Sequence, residues 1–237
     1  MTLMQIMGLA VVQGAAELLP VSSSAHVIVA EKLMGLDPTA PEMTMLLVML
    51  HTGTMFAVIV YFWNAWKASF FSSKAVFLGS AKSIAAATLV TGVVGLALKF
   101  IIEKSFMKSV PHAQIEQLFG NMTLISASLA AAGLLIVYAG MKTRDASLNH
   151  SVDFKQSCYV GAVQGICLPF RGFSRSGSTI STGLLLGVSR RKIEEFSFAL
   201  AVLLTPPVIA REAWRLLKDQ HHASASLSGM FMPGILG

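Results

Sequence analysis

The chain has 237 residues, of which 54% are hydrophobic and 13% are charged, whereas soluble domains carry about 25% charged residues. This balance excludes a soluble globular enzyme and predicts one all-α integral membrane domain over residues 1–237. The net charge of +6 lies mostly in loops, where Lys and Arg set membrane orientation. No nucleic-acid-binding module accompanies that charge.

The first predicted element is an apolar segment that is broken midway. It starts at Leu3, is interrupted by Pro20 and the Ser22–Ser24 triplet, and resumes at Val27. Each half is shorter than the roughly 20 residues that a helix needs to cross a bilayer. We therefore predict a re-entrant helical hairpin over residues 3–36, with one kinked spanning helix as the alternative.

Continuous apolar segments follow and complete a first repeat, about residues 1–140. Three of them are long enough to span the membrane: residues 43–63, 84–102 and 122–139. A second repeat, about residues 155–237, begins with another broken segment over 157–188, followed by one span over 196–214. Two spans of the first repeat have no counterpart, so we expect the second repeat to be incomplete or truncated at the C-terminus.

The two halves share a sequence register. Gln13 matches Gln164 and Ser23 matches Ser174, each pair 151 positions apart, and this register predicts no gap at the break. Three crossings between the hairpins would make the second half enter from the opposite side, which predicts an inverted repeat whose hairpin tips meet near the midplane. The excess of Lys and Arg on one set of short loops places those loops in the cytoplasm and the site on the other side.

The first break carries candidate catalytic groups. Glu17 lies in an apolar half-helix, where a carboxylate must be paired, metal-bound or protonated. Gln13 lies one turn earlier on the same helical face. His26 follows serines that are strong helix N-cap types. His51 lies mid-span, either lining a cavity or packing against neighbours.

The second break carries Arg175 between two serines. A guanidinium in apolar surroundings requires an anion, and its planar fork suits phosphate. A structural ion pair with Glu17 is the alternative, and the two interpretations are compatible. Helix N-termini directed inward would also favour phosphate.

These motifs resemble the signatures of a known family. Gln13 to His26 reads Gln-Gly-x-x-Glu-x-x-Pro-Val-Ser-Ser-Ser-x-His, and Gly172 to Thr179 reads Gly-Phe-Ser-Arg-Ser-Gly-x-Thr. Both are similar to the motifs of the undecaprenyl-diphosphate phosphatase family of the bacitracin-resistance type. The resemblance implies an inverted-repeat fold in the bacterial inner membrane. It also implies hydrolysis of the lipid carrier diphosphate on the non-cytoplasmic side, which recycles the carrier for peptidoglycan synthesis and gives bacitracin resistance.

The resemblance places these residues at the family's active-site positions, and we expect the following roles for them. Ser23 is expected to be the nucleophile, Glu17 the base or a metal ligand, His26 an acid or an alternative base, and Arg175 the phosphate clamp. The expected substrate-binding residues are Gln13, Ser22, Ser24, Ser174, Ser176 and Thr179.

The expected cofactor is a divalent cation, Mg²⁺ or Ca²⁺. The expected partners are a polyprenyl diphosphate and membrane lipids, with no nucleic acid and with a homodimer left open. A lipid-phosphate transporter or flippase of the same fold is the rival hypothesis. The chain departs from the family at Arg171-Gly172, where Pro-Gly is common, and this departure either shifts the loop or adds a second cation.

Overall fold

The computed structural model of the protein describes residues 1–106, 121–143 and 151–219. These ranges contain eight helices and no strands. In chain order the helices are α1 (Leu3–Glu17), α2 (Ser23–Leu33), α3 (Pro41–Phe70), α4 (Lys74–Phe106), α5 (Met122–Thr143), α6 (Phe154–Cys167), α7 (Arg175–Leu185) and α8 (Arg190–Asp219). The expected absence of two further spans concerns chain positions after α8, where residues 220–237 lie outside the described ranges.

Four of the helices are long and apolar enough to cross a membrane. The candidate spans are Glu42–Phe70, Lys74–Ser105, Met122–Thr143 and Arg190–Ala210. They contain the spans predicted over 43–63, 84–102 and 122–139, and most of the span predicted over 196–214. The helices extend past the predicted limits because helical hydrogen bonding continues through polar residues outside the apolar windows. The protein is therefore an all-α, multi-pass membrane protein.

Each broken segment forms two short helices that pack against each other. Gln5, near the start of α1, donates its side-chain amide to the carbonyl of Met34 at the end of α2, at 3.3 Å. Gln156, near the start of α6, donates in the same way to the carbonyl of Leu186 after α7, at 3.0 Å. Both segments therefore reverse direction at their breaks and return to the end at which they began.

The register between the hairpins changes at the break. Thr2 and Asp153 cap α1 and α6 with matching capping boxes, 151 positions apart. Gly35 and Gly187 follow the second helices with φ of 74° and 87°, a left-handed conformation that favours glycine. These glycines are 152 positions apart, so the second tip holds one additional residue. The prediction of a gap-free register is therefore wrong at the tip.

This shift also corrects the predicted match between Ser23 and Ser174. Ser22 is the N-cap of α2, and its side chain accepts from the backbone N–H of Ala25. Ser174 is the N-cap of α7, and its side chain accepts from the N–H of Gly177. The counterpart of Ser174 is thus Ser22, and Ser23 takes the position that Arg175 holds in α7, the first of the helix.

Glycine allows the two tips to touch. A Cβ atom on Gly177 would lie 2.6 Å from the carbonyl oxygen of Pro20 in the first tip, so a side chain would force the hairpins apart. Gly161 of α6 likewise contacts the backbone of Ala87 in α4. The first approach places α7 beside the break between α1 and α2, and the second packs α6 closely against α4.

Helices α3 and α8 pack through aromatic side chains. The ring centroids of Phe62 and Phe198 are 4.9 Å apart, and Trp66 Nε1 donates to the carbonyl of Glu195 at 2.9 Å. The buried carboxylate of Glu195 accepts from Arg191 at 3.0 Å. Because the buried charge is paired, it does not destabilise the helix pair as a lone carboxylate would. This packing fixes the turn of α8 that reaches the site described below.

Candidate active site

Glu17 forms hydrogen bonds with side chains of both hairpins. Its Oε2 accepts from Gln13 Nε2 at 2.9 Å and from Ser23 Oγ at 2.7 Å. Its Oε1 accepts from Arg175 Nη2 at 3.2 Å. The Glu17 side chain is 11% exposed, and these donors compensate the loss of water around the carboxylate. The alternative in which Arg175 pairs with Glu17 is the arrangement that the structure shows.

Arg175 is held in place by contacts with Ser197 of α8. Its Nη1 donates to the carbonyl of Ser197 at 3.5 Å, and the hydroxyl of Ser197 bonds that of Thr179 at 2.7 Å. Thr179 Oγ1 also donates to the Arg175 carbonyl at 2.8 Å, one turn earlier in α7. Sequence reasoning missed Ser197. The available signal was a serine between two phenylalanines in an apolar span.

His51 of α3 faces the same carboxylate. Its Nδ1 donates to the carbonyl of Leu47 at 2.8 Å, which leaves Nε2 as the nitrogen that accepts. Nε2 lies 3.3 Å from Ser24 Oγ and 4.0 Å from Glu17 Oε2. Of the two alternatives for His51, the structure shows the one in which it lines a cavity.

His26 lies elsewhere. It is exposed, and its Nδ1 donates to the carbonyl of Ser22 at 2.6 Å, which holds the ring against the first turn of its own helix. It is not among the residues that line the cavity beside Glu17. The sequence predicted that His26 would share this pocket, and the structure places His51 there instead. Other predicted residues are buried behind the cavity wall: Gln13, Ser174 and Thr179.

One cavity of about 620 Å³ joins the hairpin tips to the spans. Its polar end contains side chains from both tips: Glu17, Ser22, Ser23, Ser24, Arg171, Arg175 and Ser176. Its remaining wall is largely apolar and comes from α3, α4 and α8: Met55, Val58, Leu96, Pro207, Val208 and Ile209. Lys99 of α4 also reaches this wall and pairs with Glu103 at 3.6 Å. The cavity therefore places a charged end beside an apolar groove.

The oxygen atoms near Glu17 define what a cation would find. The side-chain oxygen of Gln13 is buried without a hydrogen-bond partner among the described residues. Within those ranges, no three His, Cys, Asp or Glu side chains are grouped so that they could hold a metal ion. Mg²⁺ often binds through one or two carboxylates together with substrate phosphates. The donor set therefore fits a cation that binds together with a phosphate ligand.

Residues 6–237 match the family described as bacitracin resistance protein BacA. The chain belongs to this family. Undecaprenyl-diphosphatase 2 of Acinetobacter baylyi is 54% identical over 241 residues, which cover 100% of this chain and 84% of that protein. Undecaprenyl-diphosphatase 2 of Burkholderia orbicola is 32% identical, and the alignment covers 100% of this chain and 83% of that protein. Undecaprenyl-diphosphatase of Caldicellulosiruptor bescii is 31% identical, and the alignment covers 100% of this chain and 85% of that protein. The BacA family match thus agrees with the family that the two tip motifs resemble.

Proposed function

We propose that this protein hydrolyses undecaprenyl diphosphate to undecaprenyl phosphate and inorganic phosphate. This reaction recycles the lipid carrier for peptidoglycan synthesis and gives bacitracin resistance. The observation that carries the proposal is Glu17, which binds the Ser23 hydroxyl and the Arg175 guanidinium from two different hairpins at the polar end of one cavity. Named relatives with the same function, which align along the whole chain, support it.

Ser23 is the proposed nucleophile. Its hydroxyl already donates to Glu17 Oε2 at 2.7 Å, so the carboxylate can take the proton as Oγ attacks the terminal phosphorus. The Oγ–P bond forms while the P–O bond to the lipid-linked phosphate breaks. Water then hydrolyses the phosphoserine and releases inorganic phosphate. Arg175 neutralises charge on the transferred group, since positioning and electrostatics dominate phosphoryl transfer.

A histidine completes the proton transfers in this proposal. His26 is the residue expected from the motif, but its Nδ1 is engaged by Ser22 and its ring is exposed. His51 presents an accepting nitrogen 4.0 Å from the Glu17 carboxylate. We therefore propose that His51 accepts a proton from the attacking water, while Glu17 returns its proton to the Ser23 oxygen as the Oγ–P bond breaks. We assign to His26 a positioning role on the first turn of α2.

A divalent cation, Mg²⁺ or Ca²⁺, is part of the proposal. Glu17, at the polar end of the cavity, would hold it together with phosphate oxygens. When bound, the cation would reduce the negative charge of the diphosphate. Loss of phosphate release in a chelator, restored by adding back one of the two metals, would support this part. Full activity in the chelator would refute it.

The membrane arrangement follows from helix lengths. Helices α1 and α2 have 15 and 11 residues, which is about 22 and 16 Å at 1.5 Å per residue. Neither crosses a hydrocarbon core of about 30 Å. We propose that both hairpins are re-entrant and belong to an inverted repeat, in the inner membrane, with the cavity open to the periplasm. The prenyl tail would follow the apolar groove between α3, α4 and α8 and remain in contact with lipid.

Phosphate release from undecaprenyl diphosphate by the purified chain in detergent tests the function. A flippase moves its substrate between membrane leaflets and would release no phosphate. Ser23→Ala should lower turnover at least about 100-fold, whereas Ser24→Ala should lower it less, since Ser24 bonds His51 and not Glu17. Ser72→Ala, an exposed serine outside the cavity, is the matched control. No release by the wild-type chain would refute the proposal. Equal losses in Ser23→Ala and Ser24→Ala would refute the nucleophile assignment.

A further inference from the structure

A second arginine, Arg171, lies in the tip between α6 and α7. It lines the same cavity as Glu17 and Arg175. The hydroxyl of Ser22 donates to the Arg171 carbonyl at 2.6 Å, so the backbone at this position is held by the opposite hairpin. The phosphatase mechanism above does not use the Arg171 guanidinium.

Arg171 has a buried carboxylate behind it. Its positive charge is close enough to act on Glu31 of α2 and on His51 of α3. Glu31 is 1% exposed, and its Oε1 lacks a hydrogen-bond partner among the described residues. A buried carboxylate is strongly unfavourable unless a cation compensates it. Glu31 lies outside the cavity lining, whereas Arg171 is part of it.

Arg175 alone does not supply enough positive charge at the polar end of the cavity for a diphosphate. Glu17 already offsets the charge of Arg175 through their 3.2 Å contact. A diphosphate presents two phosphoryl groups, and one compensated guanidinium serves one of them. A second guanidinium on the same wall supplies the missing cation, and it keeps its charge at any relevant pH.

We propose that Arg171 binds the lipid-linked phosphate while Arg175 binds the terminal phosphate that is transferred. Arg171 is then a specificity-determining residue that makes the site prefer a diphosphate to a monophosphate. This inference rests on the proposed function. Glu31 does not line the cavity, and its carboxylate competes with the substrate phosphate for the Arg171 guanidinium.

Two soluble probes separate the two phosphate positions. Methylenediphosphonate resists hydrolysis and can occupy both positions, whereas orthophosphate occupies one. Their dissociation constants are measured by calorimetry with the purified full chain in detergent, for the wild type, Arg171→Gln, Glu31→Gln and the double variant. In Arg171→Gln we expect affinity for methylenediphosphonate to fall about tenfold or more, as for the loss of one charge-assisted hydrogen bond. Affinity for orthophosphate should change less than about twofold.

The Glu31 variants exclude a folding explanation. Glu31→Gln should bind methylenediphosphonate at least as well as the wild type, because it removes a competing anion from Arg171. The double variant leaves no uncompensated carboxylate, so it should fold and still show the loss seen in Arg171→Gln. If Arg171→Gln binds both probes as tightly as the wild type, or loses affinity for both by the same factor, the inference is overturned. The proposed function would survive that result, since it depends on phosphate release by the wild-type chain, and absence of that release would overturn both.

Discussion

Replacing Glu17 with glutamine probes the contact on which the site depends. The carboxylate accepts from Gln13 and Ser23 through Oε2 and from Arg175 through Oε1. A glutamine amide has one oxygen, so it retains at most part of these contacts and places N–H groups against a donor. It also removes the base proposed to take the Ser23 proton. General base catalysis contributes about 10²- to 10⁴-fold, so we expect turnover to fall by at least about 100-fold.

The stability of Glu17→Gln should change less than its activity. Removing one partner of a buried pair costs about 3–5 kcal/mol, but Arg175 is 26% exposed in a wet cavity and keeps the Ser197 carbonyl. A loss of about 1–2 kcal/mol is therefore expected after allowance for solvent.

Phosphate release and thermal unfolding in detergent are measured on the same Glu17→Gln preparation. Glu194→Gln breaks a helical surface pair with Arg190, and it should alter stability by no more than about 0.5 kcal/mol and leave turnover intact. A folded Glu17→Gln protein that retains turnover within a few-fold of the wild type would refute the role given to this carboxylate.

Two further predictions concern the histidines and the contact between tips. His51→Ala should lower turnover about 100-fold and His26→Ala much less, because of these two side chains only His51 lines the cavity with Glu17. Steady-state kinetics that show the larger loss in His26→Ala would assign the proton-transfer role to His26. Gly177→Ala should destabilise the fold by about 1–3 kcal/mol, because its Cβ would meet the Pro20 carbonyl at 2.6 Å. Gly133→Ala has no atom within 4 Å and should be neutral or slightly stabilising. Equal unfolding temperatures for the two glycine variants would contradict the contact between tips.

Hydropathy was sufficient to predict the helices. A run of about 20 apolar residues has few alternatives to a spanning helix, and Pro20 and Pro169 interrupt the segments that form hairpins. The grouping of Glu17 with Arg175 was also accessible, because a carboxylate and a guanidinium in apolar segments each require a partner.

The details of the tips were not predictable from the sequence. Each tip holds several closely spaced serines, so the match of Ser174 with Ser22 appears only when the N-cap bonds are seen. Which histidine reaches the cavity depends on the rotation of α2 and α3 about their axes. That rotation is set by tertiary packing, and the hydrophobic pattern of either helix leaves it open.

The central claim is that two hairpin tips form one phosphate-cleaving site, and Arg175→Lys tests it most directly. A lysine keeps the positive charge but loses the planar fork that contacts Glu17 and Ser197 and that we propose binds phosphate. Phosphate release from undecaprenyl diphosphate is measured for this variant beside the wild type, with thermal unfolding as the check of folding. The account predicts a loss of at least about 100-fold in a protein of nearly unchanged stability. Near-normal turnover in well-folded Arg175→Lys would contradict it.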